Sequence, residues 1–347
     1  MNTREPSLRF DVAGLERYLT AVIAGFRGPI AVQQFVHGQS NPTYLLETGS
    51  QRYVLRRKPP GVLLPSAHAV DREFRVMRAL LPTDVPVPRT LCYCDDDAVI
   101  GTAFYIMEYV EGRILQDGFL PSMQAAERAA IYAELNRVIA ALHRVEPVNI
   151  GLGDFGKHGG YVARQVARWT KQYRASEGQR IDAMERLIEW LPQHIPAEQP
   201  SRITHGDYRL DNVIFHPREP RILAVIDWEL ATVGDPLADF AYHCMPWRLP
   251  TGFSGSLLGG DLPALGIPTE PEYVRSYCEL TGRATFEHFD FYMAFGMFRL
   301  AAILQGVAAR AVQGNASSAL AEEAGKRAQP MAETAWAQAQ RASREAA

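Results

Sequence analysis

The hydrophobic pattern of this chain changes period near Gly112. Before it, apolar residues alternate in short runs; after it, they recur every three or four residues. Residues 30–36, 43–48, 52–57 and 103–110 read as strands, punctuated by Pro42, Pro59, Pro60 and Glu111-Gly112. Residues 11–26 have helical spacing. Val70, Phe74, Met77 and Leu81 mark one face of a further helix, stopped by Pro82. The expectation for this part is a small sheet with one packed helix. Later spacing predicts helices over 123–145, 161–175 and 180–191, then short strands at 203–204, 213–215 and 222–226. From Pro236 the chain reads as helical apart from a Gly/Pro-rich loop at 250–271. The Ala-rich tail from Asn315 reads as an exposed or partner-packing helix. A chain of 347 residues exceeds one ordinary core. The fold class is therefore α+β in two parts, a sheet-bearing 1–110 and a mainly helical 111–347.

Charge and cysteine usage narrow the function. The net charge of -3 comes from 36 basic and 39 acidic residues, without the basic excess that nucleic acid demands. Cys92 and Cys94 form a C-x-C pair, with Cys244 and Cys278 far away. That is neither zinc spacing nor a disulfide framework, so free thiols in a reducing cytoplasm are expected. The N-terminal MNTREPSLRFD lacks the apolar core of a signal peptide. The most apolar stretch, 289–309, contains Asp290, Arg299 and Gln305 and reads as a buried helix, not a membrane span. A cytoplasmic protein without nucleic-acid or membrane partners is expected, as monomer or homodimer.

The chemistry-bearing segment is ITHGDYRLDNVIFHPREPRILAVIDWELATVGDPLADF, residues 203–240. Asp207 follows a short apolar strand, Asn212 comes five residues later, and Asp227 ends the run Leu223–Ile226. Phosphoryl transfer needs such a set. One carboxylate takes the proton of the attacking hydroxyl, and two further oxygens hold magnesium, which favours one or two protein ligands plus phosphates and water. The protein-kinase catalytic loop has the same Asp-to-Asn spacing, followed by a strand and a metal-binding Asp. A chance H-G-D-x-x-x-x-N arises in a chain this long on the order of once in a thousand, which weighs against plain turn formers or helix caps.

HGDYRLDN, VIDWE and GDPLADF resemble the aminoglycoside-phosphotransferase and choline-kinase superfamily. YVLRRKPPGVLLPSAHAVDREFRVMRAL and FYIMEYVEGR are similar to the kinase-like domains associated with acyl-CoA dehydrogenases. The collinear match covers roughly residues 30 to 245. The resemblance implies a protein-kinase-like two-lobed fold, with ATP and Mg2+ between a small sheet lobe and a larger helical lobe. It implies Asp207 as catalytic base, Asn212 and Asp227 as magnesium ligands, and Glu73 as the acidic partner of the nucleotide-binding cation; Glu73 also reads as a surface helix glutamate. His205 would shape the catalytic loop or serve simply as a core histidine. Asp239 would be buried and brace that loop, its loss being strongly destabilising. The backbone of Glu108 to Val110 would form the interlobe hinge that binds adenine.

This chain departs from the family pattern in places. Arg56 stands where the family strand usually carries Lys, with Arg57 and Lys58 beside it. Arg is a bidentate phosphate binder, and strand alternation lets only one of Arg56 and Arg57 face the nucleotide. The loop Gly38–Thr43 lacks G-x-G-x-x-G. Ser40 and its neighbouring N–H groups could meet phosphate, or the loop could be an ordinary hairpin turn. Glu229 is open to a second metal, a cationic substrate or a plain salt bridge. Trp228 replaces the Phe of D-F-G, and the few residues from Asp227 to Gly234 leave no room for an activation loop.

The expected activity is ATP-dependent phosphorylation of a hydroxyl on a small molecule. The dehydrogenase-associated resemblance implies a hydroxyacyl compound, with Arg248, Arg275 or Arg299 as candidate partners for its acidic groups. Trp247, Tyr273, Tyr277, Phe291 and Tyr292 could form a cage for a quaternary ammonium or simply pack helices. A catalytically silent nucleotide-binding scaffold is the alternative; retention of Asp207, Asn212 and Asp227 argues for the enzyme.

Overall fold

The computed structural model describes residues 3–4, 10–36, 41–59, 68–176, 178, 180–253, 255–312 and 318–345. The first elements are β1 (Thr3–Arg4), α1 (Val12–Val22), β2 (Ala31–Phe35), β3 (Thr43–Glu47), β4 (Arg52–Arg57) and α2 (Val70–Leu80). Then come β5 (Thr90–Cys94), α3 (Asp97–Ile100), β6 (Phe104–Glu108), α4 (Ala125–Arg144), α5 (Tyr161–Ala175) and α6 (Asp182–Trp190). Next are β7 (Arg202–Thr204), β8 (Val213–Phe215), β9 (Ile222–Val225), β10 (Thr232–Gly234) and α7 (Pro236–His243). The chain closes with α8 (Leu262–Leu265), α9 (Glu270–Thr281), α10 (Phe289–Val312) and α11 (Ser318–Glu345).

Two compact units result. The sheet unit comprises residues 1–114, 148–155 and 211–231; the helical unit comprises 115–147, 156–210 and 232–347. Residues 211–231, placed by the sequence division at 110/111 with the helical part, thus pack with the sheet. Main-chain bonds explain it. Arg113 and Phe215 exchange hydrogen bonds of 2.8 Å, and the Val225 N–H donates to the Pro86 carbonyl at 2.8 Å. Gly112 permits this approach, because a Cβ there would lie 2.2 Å from the Phe215 carbonyl oxygen. Arg72 of α2 adds a donor to the Phe155 carbonyl at 2.6 Å and another to that of Ala231 at 3.3 Å.

The sheet is antiparallel in the order β1-β2-β3-β4-β6-β5. Its side chains alternate. Tyr44, Leu46, Tyr53, Leu55, Phe104 and Ile106 form one core with Leu15 and Leu19 of α1, while α2 contacts β5 and β6. Two helices therefore cover the sheet where the spacing gave one. Arg57 lies on the α1 side, its guanidinium 5.4 Å from the Phe10 ring centre, and Arg56 on the opposite side meets Glu73 of α2. Period-2 alternation puts the neighbours on opposite faces. β5 was not anticipated; it is an edge strand with a register shift between Thr90 and Cys92, and its short TLCYC run lacks clear alternation.

In the helical unit, α10 and α11 form the most extensive helix pair, and α10 also contacts α5 and α7. α10 is long and apolar enough to cross a membrane over Phe289–Ala309, and 67% of that window is buried in the protein. The Ala-rich tail packs one face of α11 inside the chain. Ala328, Met331, Ala332, Ala335 and Ala339 are buried, since small side chains along one face let the two helices approach closely. Arg248 ties this tail down through a bidentate pair with Glu270 (2.7 Å to each oxygen), a pair with Asp290, and a bond to Gln338 of α11 at 2.6 Å.

Candidate active site

The sheet unit contains a buried charge cluster. Arg56 of β4 has its Nε 2.9 Å from Glu73 Oε2; one terminal nitrogen lies 2.7 Å from Asp227 Oδ1 and 3.5 Å from Glu229 Oε2. Glu73 is 1% exposed and takes further hydrogen bonds from Asn41 Nδ2 at 2.8 Å and the Tyr105 hydroxyl at 3.2 Å. Asn41 also contacts His68 at 3.0 Å. Burial opposes charge on Arg56, but Glu73 first, then Tyr105, Asp227 and Glu229, hold its pKa above the ordinary arginine value. Burial pushes the Glu73 carboxyl up while Arg56 pulls it back. The net direction is upward, with Asp227 and Glu229 adding to burial and the Asn41 hydrogen bond joining Arg56 in opposing it. One guanidinium thus faces three carboxyl groups, an acid-rich surrounding of the kind that a divalent cation could join.

Asp227 and Asn212 come together in the same unit. Strand β9 ends one residue short of Ile226, whose N–H donates to the Asn212 carbonyl at 2.9 Å. Asn212, itself buried, is thereby held beside the end of β9, next to Asp227. Asp227 has φ 66° and ψ 58°, in the left-handed region. That backbone costs a non-glycine residue energy, and such strain concentrates at functional positions. A one-turn 3-10 segment, Trp228–Leu230, follows directly, and β10 begins at Thr232, so the chain has no activation loop there. The carboxylate of Asp227 and the side-chain carbonyl of Asn212 are hard oxygen donors, two in number, which suits Mg2+ better than softer metals.

Asp207 belongs to the helical unit, in a loop fixed from below. Asp239 on α7 accepts the His205 N–H at 2.7 Å and the Gly206 N–H at 2.8 Å. His143 of α4 approaches the same carboxylate at 3.2 Å through Nε2, and its Nδ1 meets the Tyr277 hydroxyl at 2.7 Å. Burial pushes the Asp239 carboxyl up, but the His143 bond and the main-chain donors more than reverse it, so its pKa lies below the ordinary value. Gly206 has φ 84°, and its carbonyl accepts from Arg299 at 2.7 Å. The Asp207 N–H donates to His205 Nδ1 at 3.2 Å. His205 is fully buried, so its loop-shaping and core readings describe one residue. The Asp207 carboxylate pairs with Arg209 Nε at 3.2 Å.

The remaining expectations have mixed outcomes. Glu108 ends β6, and its N–H is already taken by the Arg89 carbonyl at 3.0 Å, so that amide has no donor left for adenine. Val110 is half-buried in the extended stretch beyond. Ser40 lies outside the described residues. Glu229 forms a long salt bridge to Arg56. Arg248 is engaged by Glu270, Asp290 and Gln338; Arg299 donates to the Gly206 carbonyl, and Arg275 is exposed on α9. Trp247, Tyr273, Tyr277, Phe291 and Tyr292 are buried and pack helices, with Trp247 and Tyr273 centred 4.7 Å apart. Asn41, Tyr105 and His143 were not anticipated as site residues. Tyr105 had a signal in principle, as the register partner of Arg56, but that register is a tertiary fact.

A sheet unit with a buried Arg–Glu pair, followed along the chain by Asp207, Asn212 and the strand-terminal Asp227, is the pattern of a kinase-like phosphotransferase fold. The profile of the Phosphotransferase enzyme family matches residues 31–277, and the chain belongs to that family. A solved structure from Ralstonia eutropha, described as a candidate aminoglycoside phosphotransferase, is 54% identical with a TM-score of 0.89, covering 96% of this chain and 99% of that one. A thermostable variant of aminoglycoside phosphotransferase APH(4)-Ia, solved with ADP and hygromycin B, shares the fold at a TM-score of 0.60 and 16% identity, over 92% of this chain and 98% of its own. Acyl-CoA dehydrogenase family member 10 of Mus musculus is 51% identical over 93% of this chain and 30% of its own length. Member 11 of Homo sapiens is 42% identical over 95% and 43%. The chain thus spans less than half of these curated relatives.

Proposed function

We propose that this chain is an ATP-dependent phosphotransferase acting on a hydroxyl group of a small molecule. The observation that carries the reading is the Arg56 cluster, a buried guanidinium among three carboxyl groups. Such a cluster suits a phosphate chain together with a divalent cation. Arg56 would bind phosphate oxygens, oriented by Glu73. Asn212 and Asp227 would hold Mg2+, which when bound neutralises charge on the phosphates. Asp207 accepts the proton of the acceptor hydroxyl as its oxygen bonds to the γ-phosphorus. The bond from that phosphorus to the β–γ bridging oxygen breaks, and ADP leaves with the electron pair.

The acceptor we propose is a hydroxylated acyl compound. Its support is the identity of 42% to 51% with proteins named as acyl-CoA dehydrogenase family members. The four cysteines are free, which fits a reducing compartment, and the cytoplasm is the setting we propose. The test is ADP release from ATP and Mg2+ with hydroxy acids, hydroxyacyl-CoAs, amino alcohols and aminoglycosides, with Asp207→Ala as control. Acceptor-dependent turnover that falls about 10²–10⁴-fold in the control is expected. Magnesium-dependent ATP binding with no turnover on any acceptor would instead favour a silent scaffold, and undiminished turnover in Asp207→Ala would remove Asp207 as the base.

A further inference from the structure

The corner that leads into β3 is bound to β4 beside Arg56. Thr43 stands opposite Arg56 in the strand register, and the Pro42 carbonyl takes the Arg57 N–H at 3.1 Å. Asn41 opens this corner, and its carbonyl accepts the Thr43 hydroxyl at 3.0 Å. Its side chain is fully buried and meets a group on each side of the α2 N-terminus. The amide oxygen only accepts, so the hydrogen of its 3.0 Å bond to His68 comes from the imidazole Nδ1. The amide nitrogen then donates to Glu73 Oε1 at 2.8 Å. The other oxygen of that carboxyl lies 2.9 Å from Arg56 Nε and takes the Tyr105 hydroxyl at 3.2 Å. His68, Asn41, Glu73 and Arg56 thus form one continuous row, which ends at Asp227, 2.7 Å from an Arg56 terminal nitrogen.

We propose that Asn41 is a positioning residue for Arg56, acting through Glu73. The inference rests on the reading of Arg56 as the cation that meets phosphate. A glutamate side chain ends in a broad torsion, so a guanidinium on one oxygen leaves the plane of the carboxyl loosely set. Asn41 removes that freedom by engaging the oxygen that Arg56 Nε does not. With both oxygens assigned, Arg56 Nε is held, and the rigid guanidinium fork carries its terminal nitrogens with it. The amide works in one orientation only, because His68 takes its oxygen and Glu73 its nitrogen. Replacing that nitrogen by an oxygen would set a carboxyl against a carboxyl.

The experiment is a double-mutant cycle on ATP–Mg2+ affinity, measured by calorimetry on the full chain carrying Asn41→Asp, Glu73→Gln or both. In Asn41→Asp two carboxyl groups repel or share a proton, and either weakens the hold on Arg56. In Glu73→Gln, keeping an oxygen toward Arg56 turns the new amide nitrogen against that of Asn41. Each single variant should lose affinity about ten-fold. In the double variant the amide at position 73 donates to the carboxyl at position 41, and an oxygen still faces Arg56 and Tyr105. Its loss should stay at about ten-fold, against about a hundred-fold for independent effects. Independent losses in affinity, with coupling only in the melting temperatures of the same samples, would overturn the proposal and make Asn41 a brace of the fold alone. If Asn41→Asp folds poorly, Asn41→Ser deletes the donor, and the nitrogen NMR resonance of Arg56 Nε, assigned by its loss in Arg56→Lys, should broaden or shift. An unchanged resonance would overturn the proposal, as would binding within about two-fold of wild type in Asn41→Asp. Unaltered affinity in Arg56→Met would instead overturn the reading of Arg56, a separate outcome.

Discussion

The Arg56 cluster and the Asp239 network are both buried, both built on a carboxylate, and chemically opposite. Around Asp239, donors and acceptors balance: two main-chain N–H groups and His143 meet one carboxylate, with Tyr277 behind the histidine. Around Arg56, one cation is shared among Glu73, Asp227 and Glu229. Exposure follows the same division. The Asp239 side chain is 2% exposed, whereas that of Asp227 is 32% exposed. A saturated buried network specifies one conformation, while an acid-rich and partly open cluster can take up a charged ligand. The first holds a loop still, and the second is left for ligand binding.

Breaking the closed side should cost the most. Asp239→Ala strands two main-chain donors and His143, and should lower unfolding stability by about 3–5 kcal/mol. Urea denaturation would measure it; a loss below about 1 kcal/mol would mean that the network is not a brace. Next is an acid limit in the same region. Burial holds His243 neutral, with its pKa lowered to about 4. In the unfolded chain it binds a proton near pH 6.5, so the unfolded state takes up more protons between those values. Stability should therefore be full above about pH 6.5 and fall by about 3 kcal/mol as pH drops to 4. His243→Gln should flatten that part of the melting-temperature profile, and an unchanged slope would reassign the acid sensitivity.

The open side should respond through ligand affinity. Arg56→Met removes the cation proposed to meet phosphate and should weaken ATP–Mg2+ binding about 10- to 100-fold by calorimetry. Arg56→Lys should lose less, because it keeps a charge without the planar fork. Equal losses in the two variants would show that the planar fork, and not the charge alone, matters there. Unaltered affinity in both would separate Arg56 from nucleotide binding and erase the contrast between the two regions.

Much of this arrangement was legible in residues close together in the chain. The spacing of Asp207, Asn212 and Asp227 is local, as are the caps and strand ends that hold them. Alternation along β4 put Arg56 and Arg57 on opposite faces, though only the register with β6 and the position of α2 showed which faces Glu73. The edge strand β5 escaped because its apolar pattern is short and irregular. The packing of the tail helix was not legible because an alanine stripe reads as weakly apolar until a facing helix accepts it at close range. That the Glu108 N–H is taken by the Arg89 carbonyl is not legible in the motif, because it depends on how the preceding segment returns to β6.

The sequence by itself determined the periods, the chemistry of the 203–240 segment and which residues can ionise, since these depend on neighbours within a few positions. Only the tertiary structure decided which charges share one cation and which donors hold the catalytic loop. Arg56 and Asp227 are 171 positions apart, and His143 and Asp239 are 96 apart. Contacts across such distances leave no local periodic trace, because they form when whole elements pack and buried charges must find partners.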